Sequence, residues 1–243
     1  MLYTEDMSIE NKVAVITGAG RGVGRATALR FAQAGAKVVL FSRTQKTLDA
    51  TLAHLSAAGG KGLAVRGDVA SEGEVRALFR QVVETYGRVD ILVNCAGEAA
   101  VRSFLEMDIT VWENILATNL RGTFLCCQQA FQKMARQGGG VILNIASLAG
   151  VQGVEKFPGL SAYCASKGGV IALTEVLALE GKPLNIRVAS VSPGAIDTEM
   201  LRQATPHLKA NMTPEELAEI LLFMADEPGR VLSGTNLEIF SNL

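Results

Sequence analysis

Short, continuous apolar runs alternate with longer segments of helical periodicity along the 243 residues of this chain. A continuous apolar run indicates a strand that is covered on both faces, and parallel strands joined by helices are covered in this way. The alternation therefore predicts a doubly wound parallel sheet with helices on both faces. The expected strands lie at 12–17, 37–42, 62–68, 89–94, 141–147, 185–192 and 235–240, and the expected helices at 25–35, 45–58, 72–86, 110–136, 161–181 and 214–225.

The chain shows no Pro/Ser-rich linker and no internal repeat that would divide it. A composition that is 49% hydrophobic fits one seven-stranded sheet buried on both faces. We therefore expect a single α/β domain over residues 1–243, with residues 1–8 only loosely attached.

Charge and cysteine content narrow the class of protein further. The net charge of −1 gives no sign of a surface for nucleic acid or anionic membranes. The N-terminus lacks an apolar run of signal-peptide length, and no stretch approaches 18 uninterrupted apolar residues, so we expect a cytoplasmic protein without a membrane span. Cys95, Cys126, Cys127 and Cys164 show no metal-binding spacing, which predicts reduced, buried thiols and no metal site.

The loop after the first expected strand reads GAGRGVG and leads into the first helix. It fits a T-G-x-x-x-G-x-G pattern at Thr17, Gly18, Gly22 and Gly24. Residues without Cβ let the backbone approach a pyrophosphate at a helix N-terminus, where N–H groups and the helix dipole favour an anion. The loop indicates a Rossmann-type dinucleotide site, although an ordinary glycine-rich turn is the alternative.

The end of the second expected strand indicates which dinucleotide would bind. A site for NAD usually places an acid about 20 residues beyond the loop to hold the ribose hydroxyls. No Asp or Glu lies between Glu10 and Asp49. The strand ends instead in Ser42, Arg43 and Thr44, which favour the 2′-phosphate of NADP(H). Arg21 is a second candidate phosphate ligand, and the alternative for Arg43 is a solvated side chain at a helix start.

The segment SAYCASKGG (161–169) places Tyr163 and Lys167 four positions apart among small residues. Four residues make about one helical turn, so both side chains are expected on one face of a helix. The small neighbours would let this helix lie close to the sheet.

Seven such motifs occur in the order typical of one family. The chain resembles the classical branch of the short-chain dehydrogenase/reductase family over about residues 9 to 240, and most closely its 3-oxoacyl-(acyl-carrier-protein) reductase type. The motifs are TGAGRGVG, DV at 68–69, NCAG at 94–97, Asn119 in ATNLRG, Ser147 in NIAS, YCASK at 163–167 and PGAIDT at 193–198.

The resemblance implies four catalytic residues. Tyr163 would give a proton to the alkoxide formed by hydride transfer, and Lys167, with the oxidised nicotinamide, would lower the pKa of that phenol and hold the nicotinamide ribose. Ser147 would hydrogen-bond the substrate oxygen, and Asn119 would hold a water that relays protons. The structural alternatives are a helix cap for Ser147, a satisfied buried amide for Asn119 and a packing role for Tyr163.

The resemblance also implies a set of cofactor contacts at four strand ends and on the helix that carries Tyr163 and Lys167. These are Gly18, Arg21, Gly22, Val23 and Gly24 at the phosphates, Asp68 and Val69 at the adenine, Asn94, Ala96 and Gly97 along the adenosine ribose, Tyr163 and Lys167 at the nicotinamide ribose, and Pro193, Gly194, Ile196 and Thr198 around the nicotinamide.

The implied activity is NADPH-dependent reduction of a ketone or 3-oxoacyl group. The alternatives are an NAD-dependent dehydrogenase of a sugar or other secondary alcohol, and a nucleotide-sensing protein without catalysis. An acyl carrier protein as partner would need a basic patch, for which the candidates are Arg102, Arg121 and Lys156. The resemblance implies a homotetramer, or else a dimer.

The chain departs from the family pattern at four places. These are Cys95 in NCAG, a long segment at 148–162, a short segment after Thr198 and a C-terminus without a glycine pair.

Overall fold

A computed structural model describes residues 9–205 and 208–240, so the segment 1–8, which was expected to be loose, lies outside the described residues. The described chain forms one seven-stranded sheet in the order β3-β2-β1-β4-β5-β6-β7, and every neighbouring pair of strands is parallel. The predicted doubly wound sheet is confirmed. The strands are β1 (Val13–Thr17), β2 (Lys37–Ser42), β3 (Lys61–Arg66), β4 (Ile91–Asn94), β5 (Gly140–Ile145), β6 (Ile186–Pro193) and β7 (Asn236–Ile239).

Helices cover both faces of this sheet. The helices are α1 (Gly22–Gln33), α2 (Gln45–Ala57), α3 (Glu72–Tyr86), α4 (Ile109–Leu116), α5 (Gly122–Gln137), α6 (Ser161–Gly181), α7 (Glu199–Ala204) and α8 (Pro214–Ala225). Alternate strand residues point to opposite faces, so Ala14 and Ile16 pack with α1, α2 and α8, whereas Val13 and Val15 pack with α3, α5 and α6.

The helical region expected at 110–136 is not continuous. A π-helical turn at Ala117–Arg121 separates α4 from α5. The hydroxyl of Thr123 donates to the carbonyl of Asn119 at 2.7 Å. A π-helical turn often marks a functional position, and this one holds Asn119 in the interior.

The four thiols are unbridged. Cys126 and Cys127 are fully buried as predicted, but Cys95 and Cys164 are only partly buried because they lie near the cleft and at the start of α6. Within 9–205 and 208–240 no group of three His, Cys, Asp or Glu side chains is placed to hold a metal ion.

One helix has the length and apolar composition of a membrane-crossing segment, namely α6 with the turn that follows it, over 161–184. It packs against β6 in this fold, and it carries the buried ammonium of Lys167. The core helix of a globular protein has the same features, so this helix by itself is weak evidence for a membrane span.

Candidate active site

The carboxyl ends of the strands surround a cleft of about 600 Å³. It lies where the strand order reverses between β1 and β4, which is where open parallel sheets bind ligands. Most of the predicted site residues meet here. The cleft is lined by Gly18, Arg21, Gly22, Val23, Gly24, Ser42, Arg43, Thr44, Asp68, Val69, Ala96, Gly97, Ser147, Tyr163, Lys167, Pro193, Gly194, Ile196 and Thr198.

Two predicted site residues lie behind the cleft wall instead. The side chain of Asn94 is buried in the sheet, where its Nδ2 donates to Asn144 Oδ1 at 2.9 Å and contacts the sulfur of Cys127. The predicted contact of Asn94 with an adenosine ribose is therefore not made by its side chain, because side chains alternate along a strand and this one points into the core. Asn119 is also fully buried.

The glycine loop has the close backbone packing that a phosphate site needs. Gly18 has a φ of +67°, and a Cβ on it would lie 2.9 Å from the backbone of Ala96. A Cβ on Gly24 would lie 2.4 Å from the carbonyl oxygen of Gly18. Helix α1 starts here with no acidic residue in its first turn and no side-chain cap, which leaves its first N–H groups to an anion.

The side chain of Arg21 crosses the mouth of the cleft. Its Nη1 donates to Glu199 Oε2 at 2.7 Å, an exposed ion pair that joins the glycine loop to the start of α7. The predicted phosphate ligand is thus engaged by a carboxylate in this structure. Glu199 was not identified from the sequence, because it lies 178 positions away.

The end of β2 offers polar groups of the kind that a phosphorylated ribose needs. Ser42 Oγ is buried and finds no hydrogen-bond partner among the described residues. A buried hydroxyl without a partner is unusual, and a ligand oxygen in the cleft would satisfy it. Arg43 Nη2 lies 3.6 Å from Glu98 Oε2, so an acid that the sequence did not place here reaches the same end of the cleft. These residues fit a dinucleotide.

At the opposite end of the cleft, α6 and β5 bring three catalytic candidates together. Lys167 Nζ lies 5.8 Å from the centre of the Tyr163 ring, one turn along the helix, and donates to the carbonyl of Ile145 at 2.7 Å. Ser147 follows β5, and its Oγ accepts from the amide of Ala149 at 3.2 Å, so it caps a short 3₁₀ turn while it lines the cleft.

Burial controls the ionisation of these groups. It raises the pKa of Tyr163, although a hydrogen bond with Ser147 acts in the opposite direction. Lys167 is not among the causes of this shift, and the lowering expected from Lys167 together with the oxidised nicotinamide stays a prediction. Burial also lowers the pKa of Lys167 from 10.5 to about 8, while the neighbouring Cys95 acts in the opposite direction.

Asn119 fixes the loop that follows β4. Its Oδ1 accepts from the amide of Glu98 at 2.8 Å, and its Nδ2 donates to the carbonyl of Glu98 at 2.9 Å and to Ser166 Oγ at 3.0 Å. A Cβ on Gly97 would lie 3.4 Å from Asn119 Oδ1 and 3.7 Å from Lys167 Nζ. Both hydrogens of the amide are used by the protein, so Asn119 acts as a buried clamp on this loop.

The walls beside Tyr163 are mainly apolar. Charged side chains line the cleft as well: Lys167 lies one turn from Tyr163, and Glu155 and Glu199 lie in segments that also carry apolar lining residues. The apolar residues are Leu148, Val154, Phe157, Leu160, Met200, Leu201, Leu208 and Phe240. They come from the long segment before α6, from α7 and the residues after it, and from the chain beyond β7.

The basic patch that was considered for an acyl carrier protein does not line the cleft. Arg102 donates to the carbonyl of Val101, and Arg121 donates to the carbonyl of Ala70. Lys156 donates to the carbonyls of Leu148 and Val151. Each of the three side chains is therefore engaged by backbone oxygens of the loops around it.

Comparison with known proteins places this cleft in a family. The family model described as short chain dehydrogenase matches residues 12–209. The chain is 37% identical over 225 residues to a 3-oxoacyl-[acyl-carrier-protein] reductase of Synechocystis sp., covering 89% of this chain and 90% of that protein. It is 36% identical to an oxidoreductase of Thermotoga maritima, covering 94% of each.

A solved structure shares the whole architecture. A 7α-hydroxysteroid dehydrogenase in complex with NADH and 7-oxo glycochenodeoxycholic acid aligns with a TM-score of 0.92 at 31% identity, covering all of this chain and 98% of the other. Together with the glycine loop and the cleft at the strand ends, these matches show that the chain belongs to the short-chain dehydrogenase family of nicotinamide-dependent oxidoreductases.

Proposed function

We propose that this protein is an NADPH-dependent oxidoreductase that reduces a ketone to a secondary alcohol, with Tyr163 as the general acid. The observation that carries the proposal is a single cleft with Ser147, Tyr163 and Lys167 at one end and the glycine loop with Ser42, Arg43 and Thr44 at the other. NADPH supplies the hydride in this reaction.

The protein residues bind the substrate oxygen and move its proton. The hydroxyl of Ser147 donates a hydrogen bond to the carbonyl oxygen and stabilises the negative charge that develops there. The phenol of Tyr163 gives its proton to that oxygen as the C–H bond forms, so the products are an alcohol and a tyrosinate. Lys167, with a pKa of about 8, then provides a proton donor near the tyrosinate, and Asn119 keeps the loop beside Lys167 in place.

Tyr163 would act as the acid in carbonyl reduction and, as tyrosinate, as the base in the reverse oxidation. A phenol with an ordinary or raised pKa is protonated at neutral pH, so the ionisation of Tyr163 does not distinguish the reductase from the NAD-dependent dehydrogenase. The choice of the reductase rests instead on the end of β2, where Ser42, Arg43 and Thr44 stand in place of the acid that an NAD site usually has.

The walls of the cleft support an apolar ketone as substrate. Phe157, Met200 and Leu208 offer apolar surface to a substrate, and the acidic side chains in the same segments of the cleft are Glu155 and Glu199, of which Glu199 is paired with Arg21. A 3-oxoacyl thioester remains a candidate because of the Synechocystis relative. Arg102, Arg121 and Lys156 do not line the cleft, so an acyl carrier protein would have to dock through other residues at the cleft.

The test is the oxidation of NADPH and of NADH with a panel of ketones. The panel holds apolar cyclic and aryl ketones, acetoacetyl-CoA and an acetoacetyl thioester of an acyl carrier protein, and Tyr163→Phe serves as the control. We expect NADPH-dependent reduction of an apolar ketone by the wild type. If neither cofactor is consumed with any ketone, or if Tyr163→Phe keeps the full rate, the proposal fails.

The same panel distinguishes the alternatives. A preference for NADH, together with faster oxidation of sugar alcohols than reduction of ketones, would support the dehydrogenase. Binding of either cofactor without turnover of any compound would support a nucleotide-sensing protein.

We further propose a cytoplasmic homotetramer, with a dimer as the alternative. Exposed apolar side chains lie on α6 at Val176 and Leu179, and a second set lies in and after α8 at Phe223 and Val231. Two separate apolar surfaces would suit two different subunit contacts. Light scattering coupled to size-exclusion chromatography gives the mass of the assembly directly.

A further inference from the structure

The acid that the sequence did not place near Arg43 comes from the far side of β1. The sheet order β2-β1-β4 puts the ends of β2 and β4 on either side of the end of β1. Neighbouring strands are about 4.8 Å apart, so two long side chains can meet across the end of the middle strand. Arg43 follows β2 and Glu98 lies in the loop after β4, and their charged groups approach to 3.6 Å.

The position of Glu98 is fixed by buried hydrogen bonds. Both its amide and its carbonyl are bound to the side chain of Asn119 in the π-helical turn. The side chain of Glu98 is 30% exposed, whereas that of Arg43 is 58% exposed. The backbone of Glu98 is thus held by Asn119, and its carboxylate is the less exposed partner of the ion pair.

A carboxylate here has a defined effect on adenosine ligands. It attracts the guanidinium that would otherwise bind a 2′-phosphate, and it repels the charge of that phosphate. An unphosphorylated ribose suffers neither effect, and carboxylates at this end of Rossmann sites commonly accept from the 2′-hydroxyl.

We propose that Glu98 is a cofactor-selecting residue that opposes Arg43 and narrows the preference of this protein for NADPH over NADH. The inference rests on the proposed function in one respect, that the cleft binds a nicotinamide dinucleotide. It adds a residue whose charge sets the ratio between the two cofactors.

The test measures binding rather than turnover. Dissociation constants are determined by calorimetry for adenosine 2′,5′-bisphosphate, 5′-AMP, NADPH and NADH, with the wild type and with Glu98→Gln. The substitution keeps the backbone that Asn119 holds and removes the charge. Glu219→Gln is the matched control, because it also removes one negative charge from an ion pair with an arginine, and that arginine, Arg30, does not line the cleft whereas Arg43 does.

We expect Glu98→Gln to tighten adenosine 2′,5′-bisphosphate and NADPH by about 3- to 10-fold, while 5′-AMP and NADH change by less than about 2-fold or weaken. In an Arg43→Ala background the gain should be smaller, since the competition for the guanidinium has been removed. Glu219→Gln should leave all four constants unchanged.

Equal effects on the phosphorylated and unphosphorylated ligands, or no effect on either, would overturn the proposal. These binding measurements need no ketone substrate. If the protein binds the nucleotides but reduces no ketone, the proposed reaction fails, and the role of Glu98 is still decided by the dissociation constants.

Discussion

The two ends of the cleft are built in different ways. At the reaction end, Lys167 is buried and hydrogen-bonded to Ile145, and Ser147 and Tyr163 lie on rigid elements beside it. At the adenosine end, Arg43 and Glu98 meet as a partly exposed ion pair at 3.6 Å. At the reaction end, burial and a short hydrogen bond hold the Lys167 side chain in place. At the adenosine end, the main interaction is between charges that remain in contact with water.

This difference predicts how each end responds to change. Removing a buried group leaves a partner unsatisfied and perturbs ionisation nearby, so effects at the reaction end should be large. Removing an exposed charge shifts a balance between water, protein and ligand, so effects at the adenosine end should be smaller but selective between ligands.

The largest expected effect is on proton transfer at the reaction end. Tyr163→Phe should lower kcat for ketone reduction by about 10²- to 10⁴-fold, because the proton donor is lost. The dissociation constant for NADPH should change by less than about 2-fold, since the adenosine end is intact. Steady-state kinetics and calorimetry on the same sample measure both. A loss of NADPH affinity as large as the loss of kcat would show that the reaction end and the adenosine end of the cleft are coupled.

The next effect is on stability, through the buried ammonium of Lys167. Its pKa is about 8 in the folded protein and 10.5 when exposed, so between these values the unfolded chain binds more protons. The free energy of unfolding of the wild type should therefore rise with pH relative to Lys167→Met, by roughly 2 kcal/mol between pH 7.5 and 9.5.

Urea unfolding of both proteins at several pH values measures this difference. Tyr163 contributes equally to the two proteins, because Lys167 is not among the causes of its raised pKa. Cys95 is coupled to Lys167, but its pKa of about 12 keeps the thiol protonated over this pH range, and removal of the ammonium raises that pKa further, so its contribution also cancels. A difference that does not vary with pH would mean that Lys167 is not desolvated in the folded protein.

A smaller, selective effect is expected at the adenosine end. Arg43→Ala should raise KM for NADPH by about 10- to 100-fold through loss of charge-assisted hydrogen bonds, and KM for NADH by less than about 2-fold. The ratio of the two KM values, measured with one ketone, is the readout. Equal increases would remove the phosphate role of Arg43.

The smallest effect concerns the exposed pair between Arg21 and Glu199. Glu199→Gln releases the guanidinium toward the glycine loop, so the dissociation constants for NADPH and NADH should both fall, by up to about 5-fold. The two should fall equally because both cofactors carry the pyrophosphate. Stopped-flow binding measures them, with Arg21→Ala as the control that abolishes the gain. A change confined to NADPH would contradict this assignment.

Most of the residues that line the cleft could be predicted from the sequence, because the motifs that indicate them are local. The glycine loop, the Ser42–Thr44 segment and the Tyr163/Lys167 pair each lie within one element or at its end, and parallel strands bring such ends to one edge of the sheet. What prediction from the sequence missed was non-local. Glu98 and Glu199 reach their arginines across 55 and 178 positions, and no spacing within one element indicates such a contact.

The sequence alone determined the doubly wound sheet and the strand ends at which the candidate site residues lie, because periodicity and strand ends are properties of short segments. The tertiary structure alone decided the charges and the solvent around those residues. It raised the pKa of Tyr163, lowered that of Lys167, turned Asn94 into the core and set Glu98 against Arg43. Ionisation and ion pairing depend on what packs around a group in three dimensions, and that environment is assembled from segments far apart in the chain.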